Sequence, residues 1–221
     1  MSNESIGLLG LGSRSTLYYI EQLNRLYNRK MGGYSTFPFV MINANFDAIN
    51  SLLPNPSNEL DAVLTEYVTR LEKLEITAIL IPNITLHETI DRLVIRKKIL
   101  HPLILTTNKI IEQEWSTVFL FGSLHTMEYN YVSSYLENKG IIVEIPSKED
   151  RLLIDTVRKQ VYAKTETPDL IATYHKMLAK YTEKFSVILA CTELSILKPI
   201  DNNRIIDMVQ LQVEEAVLLT N

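Results

Sequence analysis

Short unbroken apolar runs alternate along this chain with longer stretches in which apolar positions recur every three or four residues. The first pattern predicts strands buried on both faces and the second predicts helices with one buried stripe. Residues 4–10 predict a first strand, which runs into a glycine turn at Gly10-Leu11-Gly12-Ser13. A helix is expected from Ser13 to about residue 28, a turn at Gly32-Gly33, and a second strand over 37–42. Leu53-Pro54-Asn55-Pro56-Ser57-Asn58 is a loop by its turn chemistry. Leu60, Val63, Leu64, Tyr67, Val68, Leu71 and Leu74 then form a single helical stripe. Residues 78–81 predict a third strand that breaks at Pro82. A helix over about 87–98 and a short strand over 103–105 complete this half.

The second half begins in the same manner. Residues 117–121 predict a buried strand ending in Gly122-Ser123, followed by a helix over about 126–138 and a strand over 141–144. Pro146-Ser147 opens a helix to about residue 163. Thr167-Pro168 opens another, with proline in its first turn, whose face carries Leu170, Ile171, Tyr174, Met177, Leu178 and Tyr181. That helix feeds the apolar run Val187-Ile188-Leu189-Ala190, which ends abruptly in Cys191-Thr192-Glu193. A short strand over 204–207 and a helix over 208–219 close the chain.

Two strings echo one another. Gly12-Ser13-Arg14-Ser15-Thr16 and Gly122-Ser123-Leu124-His125-Thr126 share the form G-S-x-x-T, with an offset of 122 − 12 = 110. Asn83, after the third strand, precedes Cys191 by 191 − 83 = 108. The two offsets together predict an α/β fold of two pseudo-symmetric halves with parallel sheets and an active-site cleft between them. The first α/β domain is expected over 1–105 plus 207–221, including the C-terminal helix. The second, over 106–206, carries Cys191.

Composition narrows the function classes. A length of 221 residues allows one large domain or two small ones. A formal net charge of −4 and the lack of a dense basic cluster give no basis for a nucleic-acid partner. No apolar run approaches a membrane span of roughly 18 residues, and the N-terminus has neither a basic leader nor a cleavage site. A single cysteine excludes an intrachain disulfide and fits a reducing, cytoplasmic setting. His101, His125 and His175 lack metal-ligand spacing.

Cys191 stands just past a buried strand, at the sheet edge where ligands bind in this architecture. There it is either a reactive thiol or a small buried hydrophobe. Gly10-Leu11-Gly12-Ser13-Arg14-Ser15 is a weak match to a dinucleotide fingerprint. Ser15 replaces the third glycine, and Asn43-Ala44-Asn45 follows the second strand where an acid would hold a ribose. Three of the seven glycines crowd into residues 7–12, so tight backbone geometry is expected there.

The whole chain resembles the aspartate/glutamate racemases that work without pyridoxal phosphate. The resemblance rests on Ile6-Gly7-Leu8-Leu9-Gly10 with Ser15-Thr16 and Tyr18-Tyr19, on Gly33, on Asn45-Phe46 and Ile49, and on Thr85 with His87. It continues through Gly122-Ser123 and Thr126-Met127-Glu128 to Cys191-Thr192-Glu193-Leu194, the most specific motif of the set. It implies proton transfer at the Cα of an Asp- or Glu-like amino acid by two cysteines on opposite faces, one as thiolate and one as thiol. It also implies no cofactor, a small carboxylate or amino-acid ligand, and a homodimer.

Cys191 matches the family's second cysteine. The first motif, Pro-Cys-Asn-Thr and then His one residue later, reads Pro82-Asn83-Ile84-Thr85-Leu86-His87 here. Asn83 stands in the cysteine's place, and a carboxamide neither gives nor takes a proton near neutral pH. The catalytic candidates are therefore Cys191 and Asn83, with racemisation altered or lost. Relatives that keep only the second cysteine protonate a carbanion after decarboxylation. A protein that merely binds a small carboxylate is the third alternative.

The resemblance also implies ligand contact by Ser13, Thr85, Ser123, Thr126, Thr192 and Glu193. The hydroxyls serve equally well as helix caps, and Glu193 as an ordinary first-turn carboxylate. His87 is either an ion-pair partner for a thiolate or a partly buried helix histidine. The family's substrate lysine aligns with Leu153, and the loop over 53–58 has no arginine, so Arg14 is the nearby cation. Asp207 is expected to cap the closing helix.

Overall fold

The computed structural model describes residues 5–200 and 202–220; Glu4, the expected start of the first strand, lies outside them. The chain divides into two units. One comprises the chain up to His101 together with the segment from Gln212 on, and the other is Pro102–Leu211.

The first unit runs β1 (Ile6–Gly10), α1 (Ser13–Met31), β2 (Phe39–Asn43), α2 (Phe46–Asn50), α3 (Asn58–Glu72) and β3 (Ala78–Leu80). A 3₁₀ turn (Ile84–Leu86), α4 (His87–Ile90) and β4 (Lys98–Ile99) follow. Its four strands are all parallel in the order β2-β1-β3-β4. The unbroken apolar runs become the central strands β1 and β3, buried along their whole length, whereas the edge strand β2 is largely open. Helix α3 starts where Ser57 Oγ accepts from Leu60 N–H at 3.1 Å. It buries Leu60, Leu64, Val68 and Leu71, the core of the predicted stripe.

The second unit runs α5 (Pro102–Glu112), β5 (Thr117–Phe121), α6 (Leu124–Glu128), α7 (Asn130–Glu137), β6 (Ile142–Glu144) and α8 (Lys148–Ala163). Then come α9 (Pro168–Thr182), β7 (Ser186–Leu189), α10 (Thr192–Ile196) and β8 (Ile205–Asp207). Its sheet is again parallel, in the equivalent order β6-β5-β7-β8. Helix α9 opens with Thr167 Oγ1 accepting from Leu170 N–H and buries Tyr174, Met177, Leu178 and Tyr181. Helix α11 (Met208–Leu218) closes the chain. In the first unit Gln212 anchors it, accepting from Tyr19 Oη at 2.5 Å and donating to Leu100 O at 2.6 Å.

The expectation of an α/β fold with two similar halves and parallel sheets therefore holds, and three elements differ from it. The expected helix over 87–98 stops at Ile90. Beyond it, Glu72 Oε1 accepts the backbone N–H groups of Arg96 and Lys97, and Lys97 Nζ donates to Ile76 O. The chain is thereby led into β4 instead of a further helical turn. The expected strand over 103–105 is the first turn of α5, which buries Leu103, Thr106, Thr107 and Ile110 at helical spacing. A three-residue apolar run carries no period to tell strand from helix. The expected helix over 126–138 is two, separated at Tyr129, whose ψ of 143° is extended.

Gly10 and Gly122 act by close approach. A Cβ at Gly10 would run into the Asn43 side chain, and one at Gly122 would lie 2.9 Å from Thr126. Positive φ occurs instead at Gly32, Gly33 and Gly140, in turns.

Candidate functional site

In each sheet the chain leaves the second strand of the order for the edge and then crosses back to the strand on its other side. This reversal marks the crevice at which open α/β sheets bind ligands, beyond the carboxyl ends of the two strands involved. In the first unit those ends, of β1 and β3, carry the Gly12–Thr16 turn and the Asn83–Thr85 segment. In the second unit those of β5 and β7 carry Gly122–Thr126 and Cys191–Glu193. Ser13, Asn83, Thr85, Ser123, Thr126, Cys191, Thr192 and Glu193 thus all fall at one or other of the two switch points.

The G-S-x-x-T turns are built differently. In the first, Gly12 precedes α1 without a side-chain cap, and the buried Thr16 Oγ1 accepts from Leu11 N–H at 2.9 Å. Ser13 is exposed on the first turn, with Arg14 half-buried beside it. In the second, Ser123 is a true N-cap. Its Oγ accepts from Thr126 N–H at 3.1 Å and lies 2.8 Å from Thr126 Oγ1. Asp155 on α8 steadies this turn, accepting from Leu124 N–H at 3.3 Å while paired with Arg158 Nε at 3.0 Å and Lys159 Nζ at 2.6 Å.

Asn83 and Cys191 occupy the same backbone position. Each is the N-cap of the turn after its strand, with φ,ψ of −159°,112° for Asn83 and −154°,129° for Cys191. Their side chains do different things. Asn83 Oδ1 accepts from Leu86 N–H at 3.3 Å and caps the 3₁₀ turn. Cys191 makes no cap; its thiol donates to Glu193 Oε2 at 2.9 Å. Burial pushes that thiol well above its ordinary pKa, and the Glu193 carboxylate adds to the rise. Arg158 and the backbone N–H of Glu193 act in the opposite direction. At neutral pH Cys191 is therefore a protonated thiol held against a carboxylate. Thr192 and Glu193 are buried in the first turn of α10, and Thr85 is half-buried in the 3₁₀ turn.

His87 is a helix histidine, more deeply buried than expected. It is fully buried, with Nε2 3.2 Å from Ile81 O and its ring edge-on to His101 at 4.6 Å between centroids. Burial, and then the neighbouring His101, lower its pKa to about 3, so the ring is neutral and cannot pair with a thiolate at physiological pH. Leu153 is half-buried against the second unit's apolar cluster and brings no charge.

Asp207 caps the closing helix as expected, Oδ1 accepting from Val209 N–H at 3.0 Å. It does more than that: the same oxygen accepts from Ser195 Oγ at 2.7 Å, and Ser195 Oγ also lies 3.3 Å from Cys191 O. Burial raises the Asp207 pKa against the opposing pull of Lys198, 3.8 Å away, and of Ser195. Ser195, which links Cys191 O to Asp207, is not singled out by the sequence pattern. Tyr174 sits in a regular apolar stripe, where periodicity marks a core residue and is silent about its hydroxyl. Among the described residues no group of three or more His, Cys, Asp and Glu is arranged to hold a metal ion, and no helix is long and apolar enough to cross a membrane.

The sequence profile described as Asp/Glu/hydantoin racemase matches residues 8–216. No curated protein matches the chain in sequence. Among solved structures, a Yersinia pestis protein described as a candidate Asp/Glu racemase is 20% identical, with a TM-score of 0.84, covering 98% of this chain and 99% of that one. An aspartate racemase homologue from Pyrococcus horikoshii OT3 is 21% identical, with the same TM-score and coverage. The aspartate racemase of Picrophilus torridus is 17% identical at a TM-score of 0.78, covering 97% of this chain and 93% of that one. At these identities the likeness is one of fold.

Proposed function

The chain belongs to the Asp/Glu/hydantoin racemase family, and from that premise we propose that it transfers a proton at the Cα of a small amino acid of the Asp/Glu class, without a cofactor. Cys191 is the proton-carrying group, Glu193 its immediate proton partner, and Thr192, Ser123 and Thr126 the polar groups for a carboxylate. Ser13 and Thr85 have the corresponding places in the first unit. Asn83, at the matching position of the first unit, transfers no proton.

The observation that carries this reading is the Cys191–Glu193 hydrogen bond at the carboxyl end of β7. A thiol can reprotonate a carbanion, and it can act as base once its own proton has passed to the carboxylate. Both directions of transfer are thus available on one face. Inversion needs an acid and a base on opposite faces, and the amide at position 83 supplies neither. Exchange of the α-proton should accordingly outrun inversion of configuration.

The raised thiol pKa favours a second reading. A group that holds its proton at neutral pH suits one-sided protonation of a carbanion left by decarboxylation, which needs no base opposite.

One assay separates these. The protein is incubated with L- and D-aspartate, with L- and D-glutamate and with a malonate-type diacid in D₂O, and the Cα–H signal, chirality and CO₂ release are followed. Exchange with predominant retention is the expected result. CO₂ release with deuterium entering one face selects the second reading. No reaction, with a saturable thermal shift by a carboxylate, would leave a binding protein. The homodimer drawn from the resemblance is checked by light scattering.

A further inference from the structure

We propose that Tyr174 is a positioning residue for Cys191, its hydroxyl held in reserve in the core of the second unit to donate a hydrogen bond to Sγ once the thiol has lost its proton. Tyr174 on α9 is fully buried, and its hydroxyl has no hydrogen-bond partner among the described residues. Burying a hydroxyl without a partner is costly. A phenylalanine would fill the same volume without that cost, so the oxygen calls for a purpose beyond packing. The tyrosine belongs to the apolar cluster of Phe121, Met127 and Leu194 against which Cys191 packs. Its phenol is pushed far above the ordinary value by burial first, then by Asp207 and Cys191, so the hydroxyl lies within electrostatic reach of both. It therefore keeps its proton throughout the working pH range and can only donate or accept a hydrogen bond.

The backbone N–H of Glu193 already favours the thiolate, and the charged and titratable groups around the thiol are committed elsewhere. Close by in the chain, Glu193 takes the thiol's hydrogen bond in the resting state. On β8, Asp207 is a carboxylate already bonded to Ser195 and the Val209 N–H, with Lys198 nearby. On α8, Arg158 bears on the thiol electrostatically and is tied to Asp155. While Cys191 is protonated it needs no donor. When the proton leaves, a sulfur anion remains, half-buried and beside the Glu193 carboxylate. The Tyr174 O–H then gains a partner with no existing bond to give up. The purpose rests on the proton-transfer reading above, but the test does not.

Cys191 is the only cysteine in the chain, so the rate of alkylation by iodoacetamide against pH reports this thiol alone. Tyr174→Phe should raise the midpoint by about one pH unit, making alkylation about tenfold slower at a fixed pH below it. Its thermal midpoint should be unchanged or higher, because an unpaired hydroxyl has been removed. An unshifted or lowered alkylation midpoint overturns the proposal. Should the variant fail to fold, the unmodified protein still decides. A tyrosine near-ultraviolet difference signal should track the thiol titration and vanish in Cys191→Ala; a flat signal through the titration is the contrary result. Failure to turn over any amino acid would count against the proposed function and leave this test intact, whereas an unmoved thiol midpoint would remove Tyr174 alone.

Discussion

The two sheet edges of this protein start from one backbone plan and end in different chemistry. Asn83 and Cys191 sit at the same N-cap position with nearly the same dihedral angles, past equivalent strands of equally ordered sheets. In the first unit the side-chain oxygen closes the turn by accepting from Leu86 N–H. In the second the turn goes without a side-chain cap, and the thiol faces Glu193 instead. A cap side chain can close the turn or bond elsewhere, and here each unit has taken one option. The histidine that follows the first edge makes the same point. His87 is sealed in the core and neutral, whereas the residues that follow Cys191 keep an ionisable carboxylate within 2.9 Å of the sulfur.

The sharpest way to break this asymmetry is to restore the missing thiol. Asn83→Cys should raise the rate of inversion by about 10²-fold, the low end of what one general acid or base contributes, measured as loss of optical rotation from L-aspartate. Next in size is Glu193→Gln. It removes the nearer negative charge and should lower the Cys191 midpoint, speeding alkylation at neutral pH by about tenfold, the equivalent of one pKa unit. Burial, the larger cause of the raised value, remains, so the thiol should still titrate above its ordinary range.

The first edge has its own signature, in acid. His87 has a folded pKa of about 3 against 6.5 when unfolded, so the unfolded chain binds the extra proton. Stability is then complete above about pH 6.5 and is lost as pH falls from 6.5 towards 3. At pH 5.5 the loss should be about 1.4 kcal/mol, seen in denaturant midpoints, and His87→Leu should flatten that slope. The smallest effect concerns the other turn of the second edge. Ser123→Ala removes the cap on Thr126 N–H and should cost about 1 kcal/mol, with no matching loss in Ser13→Ala, because Ser13 caps nothing in its turn.

Much of this was legible beforehand for physical reasons. The α3 and α9 stripes and the strands β5 and β7 are long enough to display a period or an unbroken run. The offsets of 110 and 108 residues carried the repeated topology. Residues 103–105 are ambiguous in sequence because three apolar residues have no period, and the helical pattern over 87–98 is overridden because Glu72, far back in the chain, captures the N–H groups of Arg96 and Lys97. The equivalence of Asn83 and Cys191 could be read from spacing, but their different hydrogen bonds could not. The Ser195–Asp207 bond joins residues 12 apart, and the unpaired Tyr174 hydroxyl lies on another helix. Neither leaves a trace in local pattern.

The central claim is that proton transfer at Cα belongs to the second edge alone. It is tested most directly by deuterium uptake at the Cα of aspartate or glutamate in two variants side by side. Cys191→Ala should lose about 10²–10⁴-fold, and Asn83→Ala no more than about tenfold. Uptake that survives in Cys191→Ala, or that falls equally in both, would contradict the account.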